Sequence, residues 1–189
     1  EGSGSDNLLA IAEENALICK PENIATGQEI DPTLVEYIHH ASWASMTHFH
    51  MSSLRSKALK HAEAELTFCE RFNKDPSALL IVNTQIANCL LLDGEIEQSA
   101  AYLRRAFDIY SYQPNNDIKD DSFLKYGFSA KVFPYMIASI VELLSGNTQQ
   151  GKCYSLYSIE MSDKINSPIS KAISIGYATI FSYLANDRQ

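Results

Sequence analysis

The stretch DPSALLIVNTQIANCLLLDG, residues 75–94, decides the fold. Within it Leu80, Asn83, Ile86, Ala87, Leu90 and Leu91 recur at i, i+3, i+4 and i+7, the spacing of one face of an α-helix. Asp75-Pro76 is the start signal, an acidic N-cap followed by a residue whose missing N–H and fixed φ suit the first helical position. Asp93-Gly94 is the stop. From Glu95 to Tyr110 the helical spacing resumes, with Ala100, Leu103, Ala106, Phe107 and Tyr110 on the apolar side. Period-two alternation between turn clusters, the mark of a half-buried strand, is absent, so the sequence reads as all-helical.

The same grammar recurs on either side. Helix-breaking turns fall at Ser52-Ser53, Asp93-Gly94, Gly146-Asn147 and Asn186-Asp187, at spacings of about 41, 52 and 40 residues, nearer 40 than the 34 of the commonest helical repeat. The long interval contains the Ser111–Phe128 connection. Each turn follows a helix with small residues upstream: Ala44 and Ser45, Ile86-Ala87, Ala138-Ser139, Ala178-Thr179. The helix after the turn answers with Ala58 and Ala62, Ser99 and Ala106, or Gly151 and Ser158. Small residues at a crossing let two axes approach, and larger neighbours fill the remaining volume. Two antiparallel helices cannot bury both faces alone, so such pairs stack.

These signals predict a lead-in helix near Asn7–Cys19, then helix pairs Pro32–Met51 with Leu54–Phe72, Ser77–Leu92 with Glu95–Tyr110, and Ser129–Ser145 with Thr148–Lys164. Pro168 opens a last helix running to Ala185. Residues 1–30 are read as a linker or tag remnant (Glu1-Gly2-Ser3-Gly4-Ser5) plus the lead-in, and 31–189 as about three and a half helix pairs. Ending half-way through a pair leaves an unpaired helix face, so the chain is expected to be a piece of a longer array.

In the central pair, Ile86-Ala87, Leu90, Gly94, Ser99, Leu103 and Ala106 sit where the tetratricopeptide repeat carries its large and small signature residues. The chain therefore resembles that family, which implies a right-handed superhelical stack of antiparallel helix pairs, an α-solenoid. Asn83 departs from the aromatic preferred at its position, which Tyr135 supplies in the next pair, and Glu142 stands where an aromatic or Leu is expected. The first pair, with Trp43 and Ala58, departs furthest. From His61 to Arg188 the chain is more specifically similar to the degenerate repeats on the C-terminal side of bacterial signal-transduction proteins. That likeness rests on Cys69-Glu70-Arg71, Asp93-Gly94-Glu95, Ala106-Phe107-Asp108-Ile109-Tyr110, Tyr126-Gly127, Leu143-Leu144-Ser145-Gly146-Asn147 and Ser167-Pro168-Ile169-Ser170. In such proteins the repeats accompany ATPase, cyclase, kinase or DNA-binding domains, and the resemblance implies a regulatory role.

Composition narrows the partners. There are 15 Lys and Arg against 23 Asp and Glu, a net charge of −8 with no basic run, which disfavours direct contact with nucleic-acid phosphates or anionic membranes. No apolar run approaches the roughly 20 residues of a membrane-spanning helix. Cys19, Cys69, Cys89 and Cys153 have neither metal nor redox spacing and are expected to be buried reduced thiols, which points to the cytoplasm.

All five histidines lie between His39 and His61, yet His39, His40, His48 and His50 offer no i, i+4 pair for chelation. His39, His50 and His61 fall about 16 Å apart per step along a helix, too far for one ion. Asp117, Asp120 and Asp121 lack the alternating ligands and central Gly of a calcium loop. No nucleophile turn and no Gly-rich phosphate loop is present, so no catalytic residue, metal or cofactor is expected.

Aromatics gather around the long connection: Tyr102, Tyr110, Tyr112, Tyr126, Phe128, Phe133 and Tyr135. Either they plug the stretched gap between helix pairs, or Tyr102, Tyr110, Tyr112, Tyr126, Phe128 and Tyr135 anchor a partner. Two functional readings follow. In one, the concave face or exposed end of the stack binds a protein segment or another copy of the chain. In the other, the stack senses a small ligand or peptide and shifts an attached output domain.

Overall fold

The computed structural model describes residues 54–73, 75–111 and 129–186, and the statements below refer to these. The expected helices at Asn7–Cys19 and Pro32–Met51, and the connection beyond Ser111, lie outside them. Within them the chain is helical, with no strand: α1 (Arg55–Phe68), α2 (Pro76–Leu92), α3 (Ile96–Ser111), α4 (Phe133–Leu144), α5 (Thr148–Lys164) and α6 (Pro168–Asn186). A π-helical turn, Cys69–Asn73, continues α1 where the sequence predicted ordinary helix to Phe72.

The punctuation read from the sequence is local chemistry. Asp75 Oδ1 accepts the Ser77 N–H at 3.0 Å, and Pro76 occupies the first turn of α2. At the other end Gly94 takes φ +83°, so its N–H reaches the Leu91 carbonyl (3.1 Å) and the Glu95 N–H reaches that of Leu90 (2.9 Å). This is the Schellman closure, which satisfies carbonyls a helix end leaves over. Gly146 repeats it after α4, at φ +90°, with Asn147 N–H on the Glu142 carbonyl at 2.8 Å. Asn166, at φ 52°, closes α5 in the same way through Ser167 N–H and the Ser162 carbonyl (3.2 Å).

The start of α4 is later than expected. Ser129 begins a separate turn, its carbonyl accepting from Val132 and Phe133 (both 3.2 Å), and Pro134 then opens the helix proper. The Ser129 N–H meanwhile donates to Ser170 Oγ of α6 at 3.0 Å. From Phe133, where α4 starts, to Pro168, where α6 starts, is 35 residues (168 − 133). The turn-to-turn spacing near 40 is longer because α6 has 19 residues and α4 only 12.

Each helix packs on the next, and α4 packs in addition on α2 and α6. Short connections turn the chain back between α2 and α3, α4 and α5, and α5 and α6. The core lies along α2 and α4: every residue of α2 from Leu80 to Leu91 is buried, as are Met136 to Val141 and Leu143 of α4. Of the small residues read as crossing points, Ala58, Ala62, Ala87, Ser99, Ala106, Ala138, Ser139, Gly151 and Ser158 are buried, whereas Ala178 is half-buried and Thr179 exposed.

Two crossings follow one plan. Ser99 Oγ donates to the Ala87 carbonyl at 2.7 Å, fixing α3 against α2. Gly151 lies so close to α4 that a Cβ there would stand 2.6 Å from the Ser139 carbonyl and 2.8 Å from the Phe181 ring. The α5–α6 contact is different in kind, a seam of serines. Ser162 Oγ of α5 meets Ser174 Oγ of α6 at 3.0 Å, and Ser174 Oγ also donates to the Ser158 carbonyl of α5 at 3.4 Å. Buried hydroxyls that satisfy one another remove the penalty of leaving polar groups dry.

Candidate functional site

Of the six aromatics read as partner anchors, Tyr102, Tyr110 and Tyr135 are described, and Tyr112, Tyr126 and Phe128 lie outside the described residues. Tyr135, on α4, is the hub. Its ring lies 5.0 Å from Phe107 on α3, and 5.7 Å and 4.6 Å from Tyr154 and Tyr157 on α5. Phe107 and Tyr154 also stack, at 5.7 Å. Burial drives the Tyr135 phenol well above its ordinary pKa, and Tyr157, Tyr110 and Tyr154 push it the same way, so it stays neutral. Tyr102 instead carries the Arg105 guanidinium 5.0 Å over its ring.

The cluster thus joins three helices. Phe107, Tyr154 and Tyr157 were not among the expected anchors, although the pairs Phe107/Tyr110 and Tyr154/Tyr157, each at i, i+3, put them on common helix faces. All five rings are half-buried, and Phe107, Tyr110 and Tyr154 also pack against the core. Apart from the stacked Phe107–Tyr154 pair the rings meet tilted or edge-on, packed between α3, α4 and α5.

Among the described residues no group of His, Cys, Asp and Glu could hold a metal ion, and no helix is long and apolar enough to cross a membrane. Cys69 and Cys89 are buried free thiols as expected, whereas Cys153 is exposed on α5, contrary to expectation. Burial, with a smaller push from Asp93, raises the Cys89 thiol from 9.0 to about 11, so it is no nucleophile near neutrality. The dimple at the α4–α5 turn is shallow, and its Asn147 amide is already held by Glu142 at 2.8 Å.

Surface character separates the helices more clearly. The outer faces of α3 and α5 are charged, through Glu97, Arg104, Arg105 and Asp108 on one and Lys152, Glu160, Asp163 and Lys164 on the other. Lys164 is hydrogen-bonded to Glu160 at 2.8 Å, which raises its pKa. α6 has one charged residue, Lys171, and that is paired with Asp163 at 2.6 Å.

α6 is apolar on both sides. Inward it buries Ser170, Ser174 and Phe181, with Ile173, Tyr177 and Leu184 half-buried against the core, and outward it presents to solvent Ile169 (49% exposed), Ile175 (46%), Ile180 (50%) and Tyr183 (65%). Ala172 and Gly176 lie on the same exposed arc. The hydroxyls beside them are turned along the helix, Thr179 Oγ1 to the Ile175 carbonyl and Ser182 Oγ to the Ala178 carbonyl, both at 2.9 Å. No charged side chain lies on this arc. No protein-family model matches the chain, and no curated protein or solved structure is significantly similar to it. The site therefore stands on its own geometry, and α6 is its most distinctive part.

Proposed function

We propose that this chain is a non-catalytic protein–protein interaction and regulatory module, a right-handed superhelical stack of helix pairs of tetratricopeptide type. Its exposed end, α6, is the docking surface for a further helix. The observation that carries this reading is the exposed apolar arc of α6: Ile169, Ile175, Ile180 and Tyr183 outside, with no free charge between them. A row of exposed large apolar residues on one helix marks an interaction surface more often than chance exposure does.

Two further points support it. α4 touches both α2 and α6, the order that stacked pairs would give. Ala178-Thr179 repeats Ala138-Ser139, so a helix seated on Thr179, Ile180 and Tyr183 would occupy the place that α5 occupies on Ser139 and Leu143. The groove along α2 and α4 is a weaker candidate, because Leu80–Leu91 and Met136–Val141 are buried. In this reading, which follows the motif resemblance to bacterial signal-transduction proteins, such a module would act on an output domain whose state the docked helix would report.

A labelled, helix-stabilised peptide of the α5 sequence, Thr148–Lys164, is a direct probe of this surface. Fluorescence anisotropy is expected to give saturable binding that weakens at least tenfold in Ile180→Glu, with circular dichroism unchanged. Equal binding by Ile180→Glu, or none by the wild type, would remove α6 as the docking surface.

The sensor reading keeps one specific support, the half-buried aromatic cluster around Tyr135. A flat ligand wedged between Phe107 and Tyr157 would alter how α3 and α5 flank α4. A rise in melting temperature with a small aromatic compound, lost in Tyr135→Ala, would favour it.

A further inference from the structure

The occupant of the α6 face can be argued further, and this step rests on the docking role just proposed. We infer that the helix docked on α6 is α6 of a second copy of this chain, antiparallel and crossing at Gly176.

The first argument is the symmetry of the stripe. Ile169 and Tyr183 each lie seven residues from Gly176, and Ala172 and Ile180 each lie four. These offsets keep all five on one helix face, and all five are exposed. A two-fold axis through Gly176 then sets Ile180 of each copy against Ala172 of the other, and Tyr183 against Ile169. Large residues meet small ones, or aromatic meets aliphatic, on both sides at once. An isologous interface requires such a self-complementary patch.

The second argument is Gly176 itself. Nothing lies within 4 Å of where its Cβ would be, so the chain's own packing does not require glycine there. In mid-helix glycine is less stable than alanine by roughly 0.5–1 kcal/mol. Gly151 shows what a mid-helix glycine does elsewhere in this molecule: it admits the backbone of a neighbouring helix where a methyl group would collide. Gly176 offers the same close approach to a helix arriving from outside.

The third argument is charge. The chain carries −8, so two copies meeting through most of their surfaces would set like charges opposite each other. The α6 arc brings none, since Lys171 is spent on Asp163. Self-association through this face avoids the repulsion. An antiparallel partner also continues the pattern within the chain, where short turns set each helix back along its predecessor.

Sedimentation of the full chain from about 1 µM to about 100 µM tests the inference, a range that spans weak to moderate dimerisation. The mass is expected to rise from monomer to dimer. Gly176→Leu and Ile180→Glu should each shift the midpoint at least tenfold upward while helicity by circular dichroism is retained. Orientation is tested by charge. Ile169→Lys alone should weaken the dimer, and Ile169→Lys combined with Tyr183→Glu should restore it, because antiparallel pairing places the two opposite each other. A parallel pair would give no rescue. A wild-type chain that stays monomeric, dimers indifferent to both Gly176→Leu and Ile180→Glu, or an absent rescue overturns the inference. A monomer that still binds the α5 peptide through Ile180 would overturn self-association alone and leave the docking role standing.

Discussion

Helices α2 and α6 are near twins in sequence chemistry and opposites in surroundings. Both open on proline, and they have one charged residue between them, Lys171. α2 is buried continuously from Leu80 to Leu91, while α6 fully buries only Ser170, Ser174 and Phe181. An apolar helix wrapped on all sides is a core element; one with an open side is an incomplete contact. Among the described residues burial therefore follows position in the fold rather than the hydrophobicity of the segment.

The largest expected effect comes from placing a charge in each. Ile86→Asp buries an unpaired carboxylate in α2 and should abolish cooperative unfolding, a loss of roughly 4 kcal/mol or more. Ile180→Asp on α6, measured by urea denaturation at concentrations where the chain is monomeric, should stay within about 0.5 kcal/mol of wild type. Equal damage from both would break the comparison.

The two glycines should respond with opposite signs. Gly151→Ala forces a methyl group into the Ser139 carbonyl and the Phe181 ring, and should destabilise by about 1–3 kcal/mol. Gly176→Ala meets open space and should stabilise the monomer by roughly 0.5–1 kcal/mol, read as a higher Tm. A destabilising Gly176→Ala would mean that its surroundings are not open.

Alkaline titration probes the covered sides of both helices. Burial raises the Cys89 thiol of α2 from 9.0 to about 11 and the Tyr177 phenol of α6 from 10.0 to about 12. The folded chain then holds protons that the unfolded chain releases, so this stabilisation is complete below about pH 9 and is lost as the pH climbs through the raised values. Urea midpoints should fall progressively above pH 9, and Tyr177→Phe should flatten the upper part of the decline. A flat midpoint to pH 11 would show that these groups are more hydrated than their burial indicates.

A last effect concerns Asn83. Its amide donates to the Leu79 carbonyl at 2.7 Å, but its Oδ1 has no hydrogen-bond partner at 3% exposure. Asn83→Leu removes that dry acceptor and should raise stability by about 1 kcal/mol, seen as a shifted thermal midpoint. A clear loss would instead identify the Asn side chain as a packing requirement of α2.

Much of this molecule was legible in its sequence because the signals are local. Pro and Asp before a helix, Gly after it, and apolar spacing at 3.6 are properties of a few consecutive residues, and they located all six described helices. Crossing points were readable too, since Ser99 and Gly151 are small for the same steric reason wherever they pack. The closure at Asn166 was not singled out, because Asn only tolerates the left-handed conformation that Gly adopts freely.

What the sequence alone determined is therefore the helices, their limits and the places where two of them can touch. Only the tertiary structure decided which aromatics meet and which apolar face is left open. Tyr135 finds Phe107 and Tyr157 across three helices, with no spacing along the chain to announce it. Nor does any pattern within α6 reveal that Ser170 and Ser174 turn inward while Ile169, Ile175 and Ile180 stay outside. That outcome depends on the serines of α5 offering hydroxyls at the seam, a contact between segments rather than a property of either. Local propensity is written residue by residue, whereas burial is assigned by whatever else arrives alongside.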